Sequence, residues 1–322
     1  MKRNPYFDNV RVILIFLVVF GHMIQPFIDQ AGLNTIYYWI YTFHMPAFIL
    51  ISGFFAKGSS DKEYLAKLVK KLLLPYLAFQ IIYTGYYYWI EKPDWNVGLL
   101  YPQWSLWFLV SLFCWHLLLI PFKRLKPGLG IPLSFATGIT IGYFSEIGHL
   151  FSLSRTFVFF PFFLAGYWMT ESNLANLKKK SVKVMSVVVM ILVGFMISFG
   201  PSLDIGWLLG SKPYAELGVN WSGGWIRLIL YFVSFVMTMS LLSLVPKQHV
   251  KGFTYIGTRT LPIYLLHGFF IQYFRKMNLF SANNGIDIFI LLVTTIGIVY
   301  LLSVVGERVK VKVQYKRLSY KD

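Results

Sequence analysis

The chain has 322 residues, 57% of them apolar and only 13% charged, with a mean hydropathy of +0.60 and a net charge of +17. Water-soluble domains carry roughly 25% charged residues, so the composition excludes an ordinary soluble enzyme and leaves no stretch for a separate soluble domain. The one cysteine, Cys114, excludes an internal disulfide and, inside an apolar run, reads as small apolar filler.

Ten apolar stretches follow one another, at about 10–29, 36–56, 72–90, 104–121, 131–146, 156–170, 184–200, 225–245, 258–275 and 286–305. They predict an all-α, polytopic integral membrane protein: one domain over 1–322 with about ten transmembrane helices and a basic tail at 306–322. The first stretch reads as a retained span rather than a signal peptide, because no small-x-small cleavage site follows it and it contains Arg11 and His22. Residues 201–222, broken by Pro201, Gly206, Gly210, Pro213 and Gly218, read as a long loop. Lys and Arg cluster in alternate connections. One set, from Lys2 and Arg3 through 57–71, 123–126, 178–183 and 247–259 to the tail, holds twenty-three of the 30. The other holds Lys92, Arg155, Lys212, Arg227, Arg275 and Lys276. This bias places both termini in the cytoplasm, of a bacterial cell membrane by expectation, and explains most of the net charge without nucleic acid.

Candidate chemistry begins in the first stretch. Arg11 and His22 are offset by only about 20° around a helix and separated by roughly 16 Å along it, which lines a cation and a titratable ring along one face. Asp8, one turn before Arg11, is placed to pair with it. Ionisable groups inside a membrane cost roughly 3 kcal/mol on insertion scales and are functional candidates by default. Interfacial snorkelling of Arg11 and a structural hydrogen bond from His22 are the plainer alternatives. In the second stretch His44 precedes Pro46, where a helix bends or opens a polar notch. Lys67, Lys70 and Lys71 stand at the mouth of the third and are suited to grip phosphates, or simply obey the charge bias. Trp104 and Trp107 open the fourth stretch, as belt anchors or as platforms for a sugar ring. Arg155 lies on the sparsely charged side, so topology does not explain it. Tyr264 and His267 share a face of the ninth. His116, His149 and His249 receive no role. The three intramembrane histidines come from separate spans without paired spacing, so no metal site is expected.

Taken in order, the segments Val-Val-Phe-Gly-His22, Phe-His44-Met-Pro-Ala-Phe, Lys-Lys71-Leu-Leu-Leu-Pro-Tyr, Trp104-Ser-Leu-Trp-Phe-Leu, Phe-Phe-Pro161-Phe-Phe-Leu-Ala-Gly-Tyr and Leu-Pro262-Ile-Tyr-Leu-Leu-His resemble the membrane-bound acyltransferase family 3 over about residues 5–303. The likeness is greater to its branch resembling fucose 4-O-acetylases. The resemblance implies a ten-helix O-acyltransferase that takes acetyl, or a similar acyl group, from cytoplasmic acetyl-CoA and places it on an extracytoplasmic sugar. It further implies that Arg11 and His22 are the family's paired arginine and essential histidine, and that Lys67, Lys70 and Lys71 stand where CoA phosphates bind, although many relatives carry arginines there. His44, Trp104, Trp107, Arg155, Tyr264 and His267 are expected to support the acceptor. No permanently bound cofactor is expected; the expected partners are membrane lipid, acyl-CoA, a carbohydrate acceptor and other glycan-assembly proteins, with no nucleic acid. Whether His22 acts as general base or carries the acyl group stays open. A rival class is an exporter of a surface polysaccharide or its lipid-linked precursor, and a third is a passive subunit of a glycan-assembly complex.

Overall fold

Each of the ten apolar stretches coincides with a helix. In chain order the helices are α1 Pro5–Ile24, α2 Ala31–Phe54, α3 Lys62–Leu68, α4 Leu74–Trp89, α5 Trp107–Phe122, α6 Pro127–Thr140, α7 Leu153–Trp168, α8 Glu171–Leu177, α9 Lys180–Phe199, α10 Gly206–Leu209, α11 Gly223–Leu244, α12 Phe253–Gly257, α13 Thr260–Lys276 and α14 Gly285–Leu318. The computed structural model describes residues 4–92, 98–147 and 150–318, with side chains described through residue 306 except those of Ala31 and Leu150. Lys2, Arg3, His149 and Lys321 lie outside the described residues, as do the side chains of the basic tail. Among the described residues there is no strand. Among the described residues, five helical segments are long and apolar enough to cross a membrane: Pro5–Phe27, Trp104–Phe122, Lys180–Phe199, Gly223–Leu244 and Gly285–Gly306.

Several helices expose large apolar side chains. Along α9, Met185, Ile191, Phe195, Met196 and Phe199 all face outward, and so do Phe232 on α11 and Ile286 and Phe289 on α14. In water such a surface would aggregate; in a bilayer it is the solvated side, and helices satisfy their own backbone there.

Contacts divide the chain into two compact units, 1–37 with 245–322, and 38–244. In the first, α1 packs against α12, α13 and α14, and α13 packs against α14. Asn9, fully buried on α1, fastens this unit at one end. Its amide donates to the carbonyls of Pro246 (3.0 Å) and Gln248 (2.8 Å), and its Oδ1 accepts from the Thr254 hydroxyl (2.7 Å). A Cβ at Gly257 would overlap the Asp8 carbonyl, so only glycine lets α12 lie this close to α1. Asn9→Ala strands two carbonyls and a hydroxyl, and is expected to cost about 3 kcal/mol, read as a lowered thermal midpoint of the detergent-solubilised protein.

In the second unit α7 packs against α5 and α6, and α11 against α6, α8 and α9. The chain between α3 and α4 widens into a π turn, Val69–Leu73. Pro75, in the first turn of α4, lacks the N–H that would reach back to the preceding turn, and a π turn absorbs that missing bond. Residues 201–222 are more ordered than a broken loop suggests. They hold α10 and a 3-10 turn, Ala215–Leu217. Trp207 and Tyr214 stack at 5.3 Å and are both buried.

Candidate active site

Two histidines predicted from different stretches meet in the first unit. The rings of His22 on α1 and His267 on α13 stack, centroids 5.6 Å apart and 24° from parallel. His267 is fully buried, and its Nδ1 lies 3.0 Å from the Ile263 carbonyl one turn earlier. A carbonyl only accepts, so Nδ1 is the donor in this bond. Tyr264 sits 6.4 Å from the same ring, on the shared face its spacing predicts. His22 itself is half-buried.

A residue that sequence reasoning missed anchors this pair. Arg275, at the end of α13, donates from Nη2 to the His22 carbonyl (2.6 Å) and to Gln25 Oε1 (2.8 Å). Charge-assisted bonds of this length are the strong ones, and they fix the last turn of α1 against α13. The signal was available: Arg275, like Arg155, lies on the sparsely charged side, where topology gives no reason for a cation.

At the other end of α1, Arg11 pairs with Asp8 at 3.1 Å, with the Asp8 side chain 2% exposed and that of Arg11 32%. The pair forms as its spacing predicts. The polar stripe from Arg11 to His22 is interrupted, however. Ile15 and Val18 lie between them on the same line of the helix, and they are buried at 1% and 6%. Helical spacing sets the direction of a side chain; what packs against it decides whether that direction is open.

The remaining candidates lie in the second unit. Lys67, Lys70 and Lys71 are all exposed, Lys67 beside Glu63 at 3.4 Å and the other two in the π turn. Beneath them Tyr64 Oη lies 3.0 Å from His116 Nδ1, which ties α3 to α5. Burial raises the Tyr64 phenol, with the Lys57 backbone N–H opposing, so the hydroxyl keeps its proton near neutrality. His44 is buried, with Nδ1 2.9 Å from the Ile40 carbonyl and its ring edge-on to Tyr41 at 4.5 Å. Arg155 lies over the Trp107 ring at 5.1 Å, donates to the Leu209 carbonyl at 3.3 Å and interacts electrostatically with Tyr41. His44 thus contacts Tyr41, and Arg155 contacts Trp107 and, through the Leu209 carbonyl, the 201–222 segment. Trp104 is held at φ 43° at the start of a 3-10 turn. Buried Gln80 secures that approach by bonding the carbonyls of Gly98 and Tyr101 and the backbone N–H of Gln103. A left-handed non-glycine residue costs about 1–3 kcal/mol and persists only where its surroundings over-determine it.

Residues 4–304 match the acyltransferase 3 family model, described as an acyltransferase domain. The chain belongs to the acyltransferase 3 family. Among curated relatives it is 39% identical over 84 residues to the nodulation protein NolL of Sinorhizobium fredii, covering 24% of this chain and 23% of the relative. It is 37% identical over 84 residues to nodulation protein NolL of Mesorhizobium japonicum, covering 24% and 22%. The match therefore spans about a quarter of each relative. No solved structure matches the chain. The acyltransferase domain contains the whole imidazole pair with its Arg275 anchor, and the Arg155 cluster as well.

Proposed function

We propose that this acyltransferase 3 chain is a ten-span O-acyltransferase of the cell membrane, with both termini cytoplasmic, that moves an acetyl or similar acyl group from cytoplasmic acyl-CoA to a hydroxyl of a cell-surface polysaccharide. The observation that carries the reading is the stacked His22–His267 pair anchored by Arg275. An imidazole with an ordinary value near 6.5 suits proton transfer at neutral pH. As a general base, His22 takes the proton of the attacking hydroxyl as its oxygen bonds the thioester carbonyl. The tetrahedral intermediate collapses, the C–S bond breaks, and the CoA thiolate recovers that proton from the imidazolium. In the alternative, the ring carries the acyl group between donor and acceptor. His267, stacked on His22, holds its companion's plane in either case. Ten helices at the ten apolar stretches support the span count, and the charge bias supports the orientation.

For the donor, exposed Lys67, Lys70 and Lys71 in the second unit are proposed to meet CoA phosphates, and in the first unit Arg11, paired with Asp8, is a further candidate cation. Packed Ile15 and Val18 argue that the thioester does not travel along that line of α1. On the acceptor side, Trp104, Trp107 and Arg155 are proposed to supply aromatic and cationic surface for a carbohydrate, with buried His44 in a supporting place beside Tyr41. Glycan-assembly proteins are the proposed partners.

A deletion strain tests transfer against export. The expected result is polysaccharide displayed at the surface in normal amount but lacking its O-acetyl groups, with acetyl restored by the wild-type gene. Glycan retained inside the cell, with acetyl content unchanged, would instead establish a carrier.

A further inference from the structure

Beyond the imidazole pair, the first unit contains a pocket of about 300 Å³. It lies where α1 and α13 end, opposite the Arg11 end of α1. Gln25, Arg275 and Asn278 give it a polar edge, and Phe27, Phe274 and Phe280 give it aromatic walls. The sequence builds it locally. Asn278, at φ 48°, ends α13 in the left-handed conformation that asparagine tolerates. Its N–H bonds the Arg275 carbonyl (3.3 Å) and the Leu279 N–H bonds the Phe274 carbonyl (3.1 Å), the paired bonds of a Schellman cap. The cap turns the chain back, so that Phe280 meets Phe274 edge-on at 5.1 Å. On α1, the 3-10 turn Gln25–Phe27 supplies the other side.

We propose that this pocket seats the acceptor, as one sugar ring with its hydroxyl edge on Gln25, Arg275 and Asn278 and its apolar face on the phenylalanines. The inference rests on the transferase reading and its orientation, which places this end of α1 outside the cell. Its volume of about 300 Å³ sits at the small end of ligand sites, roughly 300–1,000 Å³, which fits one ring. An arginine and two amides disfavour a lipid tail. The position is one turn of α1 past His22 and one to two turns of α13 past His267, from Ile271 to Arg275, and Arg275 touches both the pocket and the His22 backbone. A hydroxyl at the pocket floor therefore approaches the imidazole pair from the side opposite Arg11.

Cysteine modification from outside the cell tests this. Cys114 is the sole native cysteine, so Phe280→Cys and Asn278→Cys are made separately with Cys114→Ala and expressed in the deletion strain. Intact cells are treated with the impermeant sulfonatoethyl methanethiosulfonate, and labelled acetyl incorporation into surface glycan is followed. Modification is expected to cut incorporation at least tenfold relative to each untreated variant, with recovery on reduction by dithiothreitol. Full incorporation after modification verified by mass, or a cysteine the reagent does not reach, overturns the proposal. If either cysteine variant is inactive before treatment, Phe280→Tyr and Asn278→Ser decide: recovered incorporation supports the pocket and none overturns it. Failure of the transferase reading itself shows earlier and separately, as wild-type protein that adds no acetyl to the deletion strain.

Discussion

On the proposed transferase reading, His22→Ala is expected to abolish acetyl incorporation into surface glycan, by at least about a hundredfold, while the protein inserts at the wild-type level. The size follows from the chemistry: a positioned acid–base group contributes typically 10²–10⁴ in rate, and an acyl-carrying ring would contribute the whole reaction. That folding survives follows from the geometry. Arg275 grips the backbone carbonyl of His22 and the side chain of Gln25, neither of which the substitution removes. The neighbours Met23 and Ile24 carry the packing of that turn and are themselves buried. The loss includes one face of a ring stack, worth about 0.5–1.5 kcal/mol. Membrane-fraction immunoblots measure insertion, and acetyl released from purified glycan by mild base measures transfer. Wild-type acetylation in a well-inserted His22→Ala protein would remove His22 from the reaction.

The helices were legible because each buries or exposes an unbroken apolar run, and hydropathy reads such runs directly. The short helices escaped for the opposite reason. In α3, Lys62, Glu63 and Lys67 mask the apolar side formed by Tyr64 and Leu68, and α12 is only Phe253–Gly257. In the 201–222 segment five Gly and Pro residues signal a broken chain, yet the same segment carries Trp207, whose carbonyl accepts from the buried Arg227 at 2.6 Å and whose ring lies under that guanidinium. Local punctuation reports where a helix stops and says nothing of what an aromatic loop then packs on. The candidate site divides in the same way. Spacing alone pairs Asp8 with Arg11 and Tyr264 with His267, because both pairs lie on one helix. The meeting of His22 with His267 joins residues 245 apart, and the anchoring bond from Arg275 ends on a backbone carbonyl, which no side-chain pattern encodes. Ile15 and Val18 mark the same limit from the other side, since apolar residues on a helix line read alike whether they face lipid or a packed neighbour.

Gly53→Val and Gly166→Val each prevent α2 and α7 from meeting within the second unit, and each is expected to lower the apparent thermal midpoint by about 5–10 °C or to abolish recovery of folded protein. The two glycines face each other across the helix pair. A Cβ on Gly53 would overlap the Phe163 carbonyl, and one on Gly166 would overlap the Leu50 carbonyl. Both obstacles are backbone, so no rotamer change relieves them and the helices must separate. Overpacking typically costs about 1–3 kcal/mol where side chains yield; here the rigid neighbour sets the cost at or above the top of that range. Small residues that admit close backbone approach are the main means by which helices associate in lipid, where no hydrophobic force acts between them. A control lies in the same unit: Gly85 on α4 has nothing within 4 Å of a Cβ, so Gly85→Ala is neutral or stabilising by up to about 1 kcal/mol through helix propensity. Gly53→Val and Gly166→Val proteins as stable as Gly85→Ala, measured by tryptophan fluorescence in one detergent, would mean that α2 and α7 do not touch at these positions. Because the α7 face that meets α2 continues towards Arg155, separating the helices also loosens the Arg155–Trp107 and Tyr41–His44 contacts. Acetyl transfer should therefore fall with the loss of stability in these two variants and not in the control.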